Sequence, residues 1–218
     1  HELINRISSM LNPAHLAKII LTSDERYRSG DDYDELLDSI DGIIQEGNDM
    51  KKMIENELDF LREIALDTEG NVADVLIKVH ESLKDEMRKN SVESNVQVEP
   101  NLPKIAMNES KLQLAFYNLI KNASEAMSKG GKLEITTYLK KNKGQKESVI
   151  VEIKDTGIGM TKEQLSKIFQ PFYTTKARGL GVGLSNVKTI ISGHKGKIEV
   201  ESKVGIGTKF VVAIPVNR

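Results

Sequence analysis

Two side-chain amides four residues apart, Asn118 and Asn122, share one face of a segment whose apolar residues repeat as in a helix. An amide oxygen is a hard, neutral ligand suited to Mg²⁺, which keeps several waters and takes its remaining contacts from phosphates. Further along, Asp155 stands at the end of the apolar run Val149 to Ile153 and is followed by Gly157 and Gly159. A carboxylate there can accept from an exocyclic amine such as that of adenine, and residues without side chains let the backbone approach a base. A second glycine run, Gly179-Leu180-Gly181-Val182-Gly183-Leu184, leads into a helical pattern whose first N–H groups and positive dipole end suit an anion. Each signal alone has a plainer reading: N-x-x-x-N as two solvated surface amides, D-x-G-x-G as a tight turn. The order decides between them, with Phe169-Gln170-Pro171-Phe172-Tyr173-Thr174-Thr175-Lys176 between the glycine runs and Gly205-Ile206-Gly207-Thr208 after them.

The surrounding patterns supply the scaffold. They predict helices over 72–89, 108–129, 161–168 and Leu184 to Ser192, and strands over 95–99, 132–140, 148–154, 197–202 and 208–215. Gly130-Gly131 and Asn142-Lys143-Gly144 offer turns between them. That order predicts a mixed sheet with helices on one face, an α/β sandwich.

Upstream the pattern changes. Leu3, Ile7, Met10, Ala14, Ala17 and Leu21 recur at steps of four and three, as do Tyr33, Leu36, Ile40, Ile43, Gly47, Met50 and Ile54, with Leu61 and Ile64 beyond Glu57. Helices are predicted over 1–22, kinked by Pro13, and over 33–66, joined by the polar turn Thr22 to Asp32. Two antiparallel helices with one apolar stripe each cannot enclose a core, so a second hairpin is expected to complete a homodimeric four-helix bundle. Docking of the hairpin on its own C-terminal domain is the alternative. The fold class is therefore α+β: a helical dimerisation domain over 1–67, a hinge at 67–70 and an α/β sandwich over 71–218.

A chain of 218 residues can hold two such domains, each with its own core. With 31 Lys plus Arg against 32 Asp plus Glu the net charge is −1, so no basic surface for nucleic acid is expected. The absence of Cys excludes disulfides and thiolate metal sites. No apolar run approaches the roughly 18 to 20 residues of a membrane span, and no signal-peptide pattern opens the chain, so a soluble segment is expected. A start at His1 rather than Met leads to the expectation that a sensor or membrane segment lies upstream.

The boxes together resemble the ATP-binding domain of sensor histidine kinases, in the left-handed ATP-binding group that includes gyrase, Hsp90 and the MutL repair ATPases. The resemblance implies ATP and Mg²⁺ as ligands, with Asn122 on the metal and Asn118 beside the phosphates. It places Asp155, Gly157 and Gly159 at adenine. Phe169 and Phe172 would anchor a lid, or serve equally well as plain core, with Thr174, Thr175 and Lys176 near phosphate. Gly179, Gly181, Val182, Gly183 and Leu184 would form the phosphate-facing start of a helix, and the Thr208 hydroxyl would support Asp155. Val182 stands where the family often has Leu, and Glu125 where some members place a phosphate-binding Lys. Lys176 is then the main cation for the triphosphate, ahead of Lys121 and Arg178.

The opening His1-Glu2-Leu3-Ile4-Asn5 resembles the family's H-E-x-x-N/T box, with Arg6 where Pro is usual. His1 falls about 200° round the helix from Leu3, away from the seam. The resemblance implies His1 as phosphoacceptor, Glu2 as its base and Asn5 as the residue that positions water in a reverse phosphatase step. His15, with no acid after it, is the competitor, and His194 is read as structural. The implied activity is that of a cytoplasmic, homodimeric, ATP-dependent protein-histidine kinase that passes its phosphoryl group to an Asp of a response regulator. A related Ser kinase, and a scaffold that passes phosphate without using ATP, are the rival readings.

Overall fold

The computed structural model describes residues 2–23, 31–62, 64–141, 147–176 and 181–216. His1, Gly179 and the turn residues expected at 24–30 and 142–144 lie outside them. The chain divides into two compact units between Glu63 and Ile64. Among the described residues no helix is long and apolar enough to cross a membrane.

The first unit is a hairpin of helices α1 (Glu2–Ser23) and α2 (Asp31–Arg62). Pro13 sits inside α1. The contact is centred on buried Leu11 and Ile40. A Cβ on Gly47 would stand 2.5 Å from Leu11 Cδ2, so the absent side chain lets the helices close. Lys18 pairs with Asp41 at 2.5 Å, and the Tyr33 hydroxyl donates to the Leu21 carbonyl at 3.1 Å.

On α2 the half-buried or buried face runs through Tyr33, Leu37, Ile40, Ile44 and Gly47. The expected seam positions Leu36 and Ile43 instead stay 48% and 57% exposed, and Leu16, Ile19 and Ile20 on α1, outside the expected seam, are exposed too. The hairpin thus carries two apolar stripes and satisfies one. The second helix ends at Arg62, short of the expected Leu66 region, and Ile64 to Asp67 are already extended or irregular.

The second unit is the expected sandwich. Strands β2 (Val92–Val98), β4 (Gly131–Lys140), β5 (Ser148–Asp155), β7 (Gly207–Pro215) and β6 (Lys197–Lys203) form one sheet in that spatial order, with only β2 and β4 parallel. Leu133 and Ile135 on β4, Val149, Val151 and Ile153 on β5, and Phe210, Val212 and Ile214 on β7 are buried. The opposite face is mixed, with Lys154 paired to Glu134 at 3.0 Å and Tyr138 donating to Glu152 at 2.9 Å beside a buried Ile150. This alternation is the period of a sheet covered on one side.

The cover is α5 (Glu109–Ala126), packed between α3 (Val72–Ser82) and α7 (Gly183–Gly193). Leu112, Ala115, Phe116, Leu119, Ile120 and Ala123 line its buried face at helical spacing. Asn108 caps it by accepting from the Lys111 N–H at 3.1 Å.

Three features depart from the expected elements. The helix expected over 72–89 breaks at Leu83 into α3 and α4 (Lys84–Lys89), where Leu83 leaves helical geometry at φ −100° and ψ 0° with its side chain buried. The strand expected from 95 begins at Val92. Thr68–Gly70, expected as a hinge, forms strand β1, antiparallel to β3 (Ile105–Met107) in a separate small sheet. The Thr68 hydroxyl donates to the Met107 carbonyl at 2.9 Å, which ties this segment to the second unit.

Candidate functional site

Asp155 ends the central strand β5, with only 5% of its surface exposed. Oδ1 accepts the backbone N–H of Gly157 at 2.8 Å and that of Thr208 at 3.1 Å. Burial raises its pKa above the ordinary carboxylate value, and the two N–H donors pull the other way. Both donors engage one oxygen, so the carboxylate is fixed in rotation and Oδ2 is its second acceptor.

The hydroxyl of Thr208 does not perform the expected task. Thr208 supports Asp155 through its backbone N–H, and its Oγ1 lies 2.9 Å from Ser202 Oγ. Ser202 spends its one proton on the Gly207 carbonyl at 2.9 Å, so Thr208 must be the donor between the two hydroxyls. Ser202 Oγ also accepts the Met160 N–H at 2.9 Å. This residue, absent from the sequence-derived site, therefore fastens the loop after Asp155 to the turn at Gly207. A lone Ser on an edge strand carries no periodic signal that would have found it.

The glycines are required first by neighbouring protein. A Cβ on Gly157 would lie 2.6 Å from the Ala126 carbonyl at the end of α5. One on Gly207, at φ +128°, would collide with the Asp155 carbonyl. The loop and the turn can reach Asp155 only as bare backbone.

Asn118 and Asn122 share the face of α5 turned toward the same region. Asn118 Nδ2 donates to the Leu114 carbonyl at 3.1 Å, and a Cβ on Gly183 would lie 3.1 Å from Asn118 Oδ1. The start of α7, with Val182 as N-cap and no side chain capping it, thus stands against Asn118, leaving backbone N–H groups of Gly183 and Leu184 at a positive helix end.

Asn122 Oδ1 accepts from the Lys176 ammonium at 2.6 Å, and the same ammonium pairs with Glu125 Oε2. Two hard oxygens one helical turn apart therefore already converge on a cation, the donor chemistry that Mg²⁺ requires, and Asn122 fits the metal role. Among the described residues no three His, Asp or Glu side chains form a metal cluster. Lys121 is turned over the Tyr117 ring, 5.5 Å from its centroid.

The aromatic pair divides. Phe169 is half-buried with Lys188 Nζ 5.7 Å over its ring, whereas Phe172 is 47% exposed at φ +65°. Ile168, at 6% exposure, is the residue of this segment that is buried in the core. Phe172 and Tyr173 pack their backbone against Gly181, where a Cβ would fall 2.5 Å from the Phe172 carbonyl carbon. Thr174 Oγ1 accepts the Lys176 N–H at 3.0 Å, a turn that aims the lysine at α5. Thr175 is exposed.

His194 is structural, as read. Nδ1 lies 2.8 Å from the Ile190 carbonyl and so carries the proton, while Nε2 accepts the Asn108 N–H at 3.0 Å. It braces the end of α7 against the cap of α5. In the first unit Glu2 and Asn5 belong to α1. His15, the competitor, lies further along the same helix with Nδ1 2.8 Å from the Leu11 carbonyl.

A fixed, buried carboxylate, a helix bearing two inward amides and a glycine-led helix start together define a nucleotide-binding α/β sandwich. Residues 107–218 match the family model described as histidine kinase-, DNA gyrase B- and HSP90-like ATPase. The chain belongs to that family, and its second unit is an ATP-binding domain of the histidine kinase type. It is 40% identical over 129 residues to sporulation kinase E of Bacillus subtilis (strain 168), covering 57% of this chain and 17% of that protein. The solved catalytic domain of histidine kinase ThkA is 30% identical, with a TM-score of 0.60 over 68% of this chain and 94% of that one. Histidine kinase ThkA in complex with response regulator protein TrrA shares the fold at 23% identity, with a TM-score of 0.62 over all of this chain and 62% of that one. The chain spans only a fraction of the length of its curated relatives.

Proposed function

We propose that this chain is the kinase core of a two-component sensor. The fixed Asp155 carboxylate carries the reading: Oδ1 holds the loop and the Gly207 turn, and Oδ2 is aimed to accept the exocyclic amine of adenine. The triphosphate then runs toward Asn118, Asn122 and the N–H groups at the start of α7. Bound Mg²⁺ supplies charge neutralisation at the phosphates, with Asn122 as its side-chain ligand. Val182 and Leu184 flank that helix start, while Gly179, also assigned to phosphate, lies outside the described residues.

The phosphoryl acceptor is His1 of the H-E-x-x-N box. A bond forms from a neutral imidazole nitrogen to the γ-phosphorus as the bridging P–O bond to ADP breaks, and Glu2 takes the proton from the other ring nitrogen. Asn5 positions water for the reverse step. The phosphoryl group then passes to an Asp of a response regulator, a partner class suggested by the solved complex of histidine kinase ThkA with response regulator protein TrrA. The unsatisfied stripe of Leu16, Ile19, Ile20, Leu36 and Ile43 supports a homodimeric four-helix bundle. Because Thr68–Gly70 is paired to β3, the joint that lets the ATP-binding unit reach His1 lies at or before Asp67.

The test is His1→Gln in the intact chain. Labelling from γ-labelled ATP is expected to vanish while ATP affinity stays within about twofold of the parent. Labelling that persists in this variant overturns the assignment of His1.

A further inference from the structure

The ammonium of Lys176 lies 2.6 Å from Asn122 Oδ1 and is ion-paired to Glu125 Oε2, across more than fifty residues of chain. Asn122 and Glu125 stand three apart on α5 and so share a face. The Thr174 hydroxyl, accepting the Lys176 N–H at 3.0 Å, shapes the turn that delivers the lysine there. A positive charge therefore rests on the very oxygen assigned to the metal, and its partner carboxylate lies beside the path of the phosphates.

We infer that Lys176 is a resident counter-cation of the metal position, exchanged for Mg²⁺ when nucleotide binds, and that Glu125 makes nucleotide binding depend on that metal. The inference rests on the nucleotide-site reading. It follows from the charges. Without Mg²⁺, the ammonium must serve either Glu125 or the triphosphate. Moving it to the phosphates leaves Asn122 without its donor and sets the Glu125 charge against several negative phosphate oxygens. With Mg²⁺, a divalent ion takes the place beside Asn122 and balances Glu125, and Lys176 is free for the phosphates. Glu125 thus penalises the metal-free nucleotide and tolerates the metal complex. The pair is half-exposed, at 47% for Lys176 and 34% for Glu125, so its value lies in this selectivity more than in fold stability.

The experiment is calorimetric titration of the intact chain with ATP, once with excess MgCl₂ and once with EDTA, for the parent, Glu125→Gln and Lys176→Met. In the parent, removal of Mg²⁺ is expected to weaken ATP binding by at least about thirtyfold. Glu125→Gln should tighten metal-free binding by about tenfold and leave metal-loaded binding within about threefold, so the metal dependence shrinks. Lys176→Met should weaken binding in both arms, since the phosphates lose their cation. Both changes sit on half-exposed side chains, and a thermal melt confirms folding before titration. A ratio of affinities with and without Mg²⁺ that Glu125→Gln leaves unchanged overturns the inference. A parent chain that binds no ATP in MgCl₂ overturns the nucleotide-site reading itself, a distinct outcome.

Discussion

Replacement of Asp155 by Asn separates recognition from folding. In the parent, Oδ1 accepts two backbone N–H groups, at 2.8 and 3.1 Å. The amide oxygen of the variant is compelled into that same place, because the opposite flip would face an NH₂ against both donors and leave the part-buried Gly157 N–H and the buried Thr208 N–H unpaired, at about 1–3 kcal/mol for the buried one. The NH₂ therefore lands where Oδ2 was, and meets the adenine amine donor to donor. Loss of one hydrogen bond to a charged acceptor is about 1.5–3 kcal/mol, or roughly 10- to 150-fold in ATP affinity.

Stability moves the other way. Burial holds the Asp155 pKa above its ordinary value, so the native state binds more protons than the unfolded chain between those two values. The stability this side chain contributes is thus full at low pH and is lost as pH rises through the raised value. The amide has no such loss, so Asp155→Asn should melt at or above the parent temperature near neutral pH. Calorimetry with ATP and MgCl₂, paired with thermal melts, measures both. Affinity within about threefold of the parent would refute the assignment of Oδ2 to adenine. A variant that unfolds would refute the enforced orientation.

Three further outcomes are expected. Gly157→Ala places a methyl 2.6 Å from the Ala126 carbonyl and should destabilise the fold by about 1–3 kcal/mol in denaturant titrations; an unchanged midpoint would contradict the close approach. His80 and His194 both have pKa values lowered by burial, so the stability they contribute is present above the ordinary His value and lost as pH falls toward the lowered ones. Thermal melts from pH 7.5 to 5 should fall accordingly, and less steeply for His194→Asn. Ile43→Asp puts a charge on the uncovered helix stripe, at about 1.5–3 kcal/mol of lost burial per copy, so sedimentation equilibrium should register dissociation while ATP affinity is unaffected.

The sandwich was legible because its elements carry clear apolar patterns: α5 shows one apolar face through Phe116 and Leu119, and β5 is an apolar run that alternates from Val151 into Asp155. The hairpin seam was only half legible. Along α2 apolar residues stand on adjacent faces, so Leu36 and Ile43 fit a heptad as well as Leu37 and Ile44, and only the partner helix decides. Strands β1 and β3 span three residues each, too few for any period to register. At the site, residue types announced Asp155, Asn118 and Asn122. The Ser202 clamp and the Lys176 contact with Glu125 join segments far apart in sequence, and no local pattern encodes them. Phe172 illustrates the opposite failure, since an aromatic residue signals burial by type and here stands exposed on a left-handed turn.

The central claim is tested most directly by incubating the intact chain with Mg²⁺ and γ-labelled ATP, treating the product with acid and with base, and mapping the labelled peptide. A base-stable, acid-labile label on the peptide that holds His1 is the predicted result. An acid-stable label, or label confined to a peptide without His1, would contradict it.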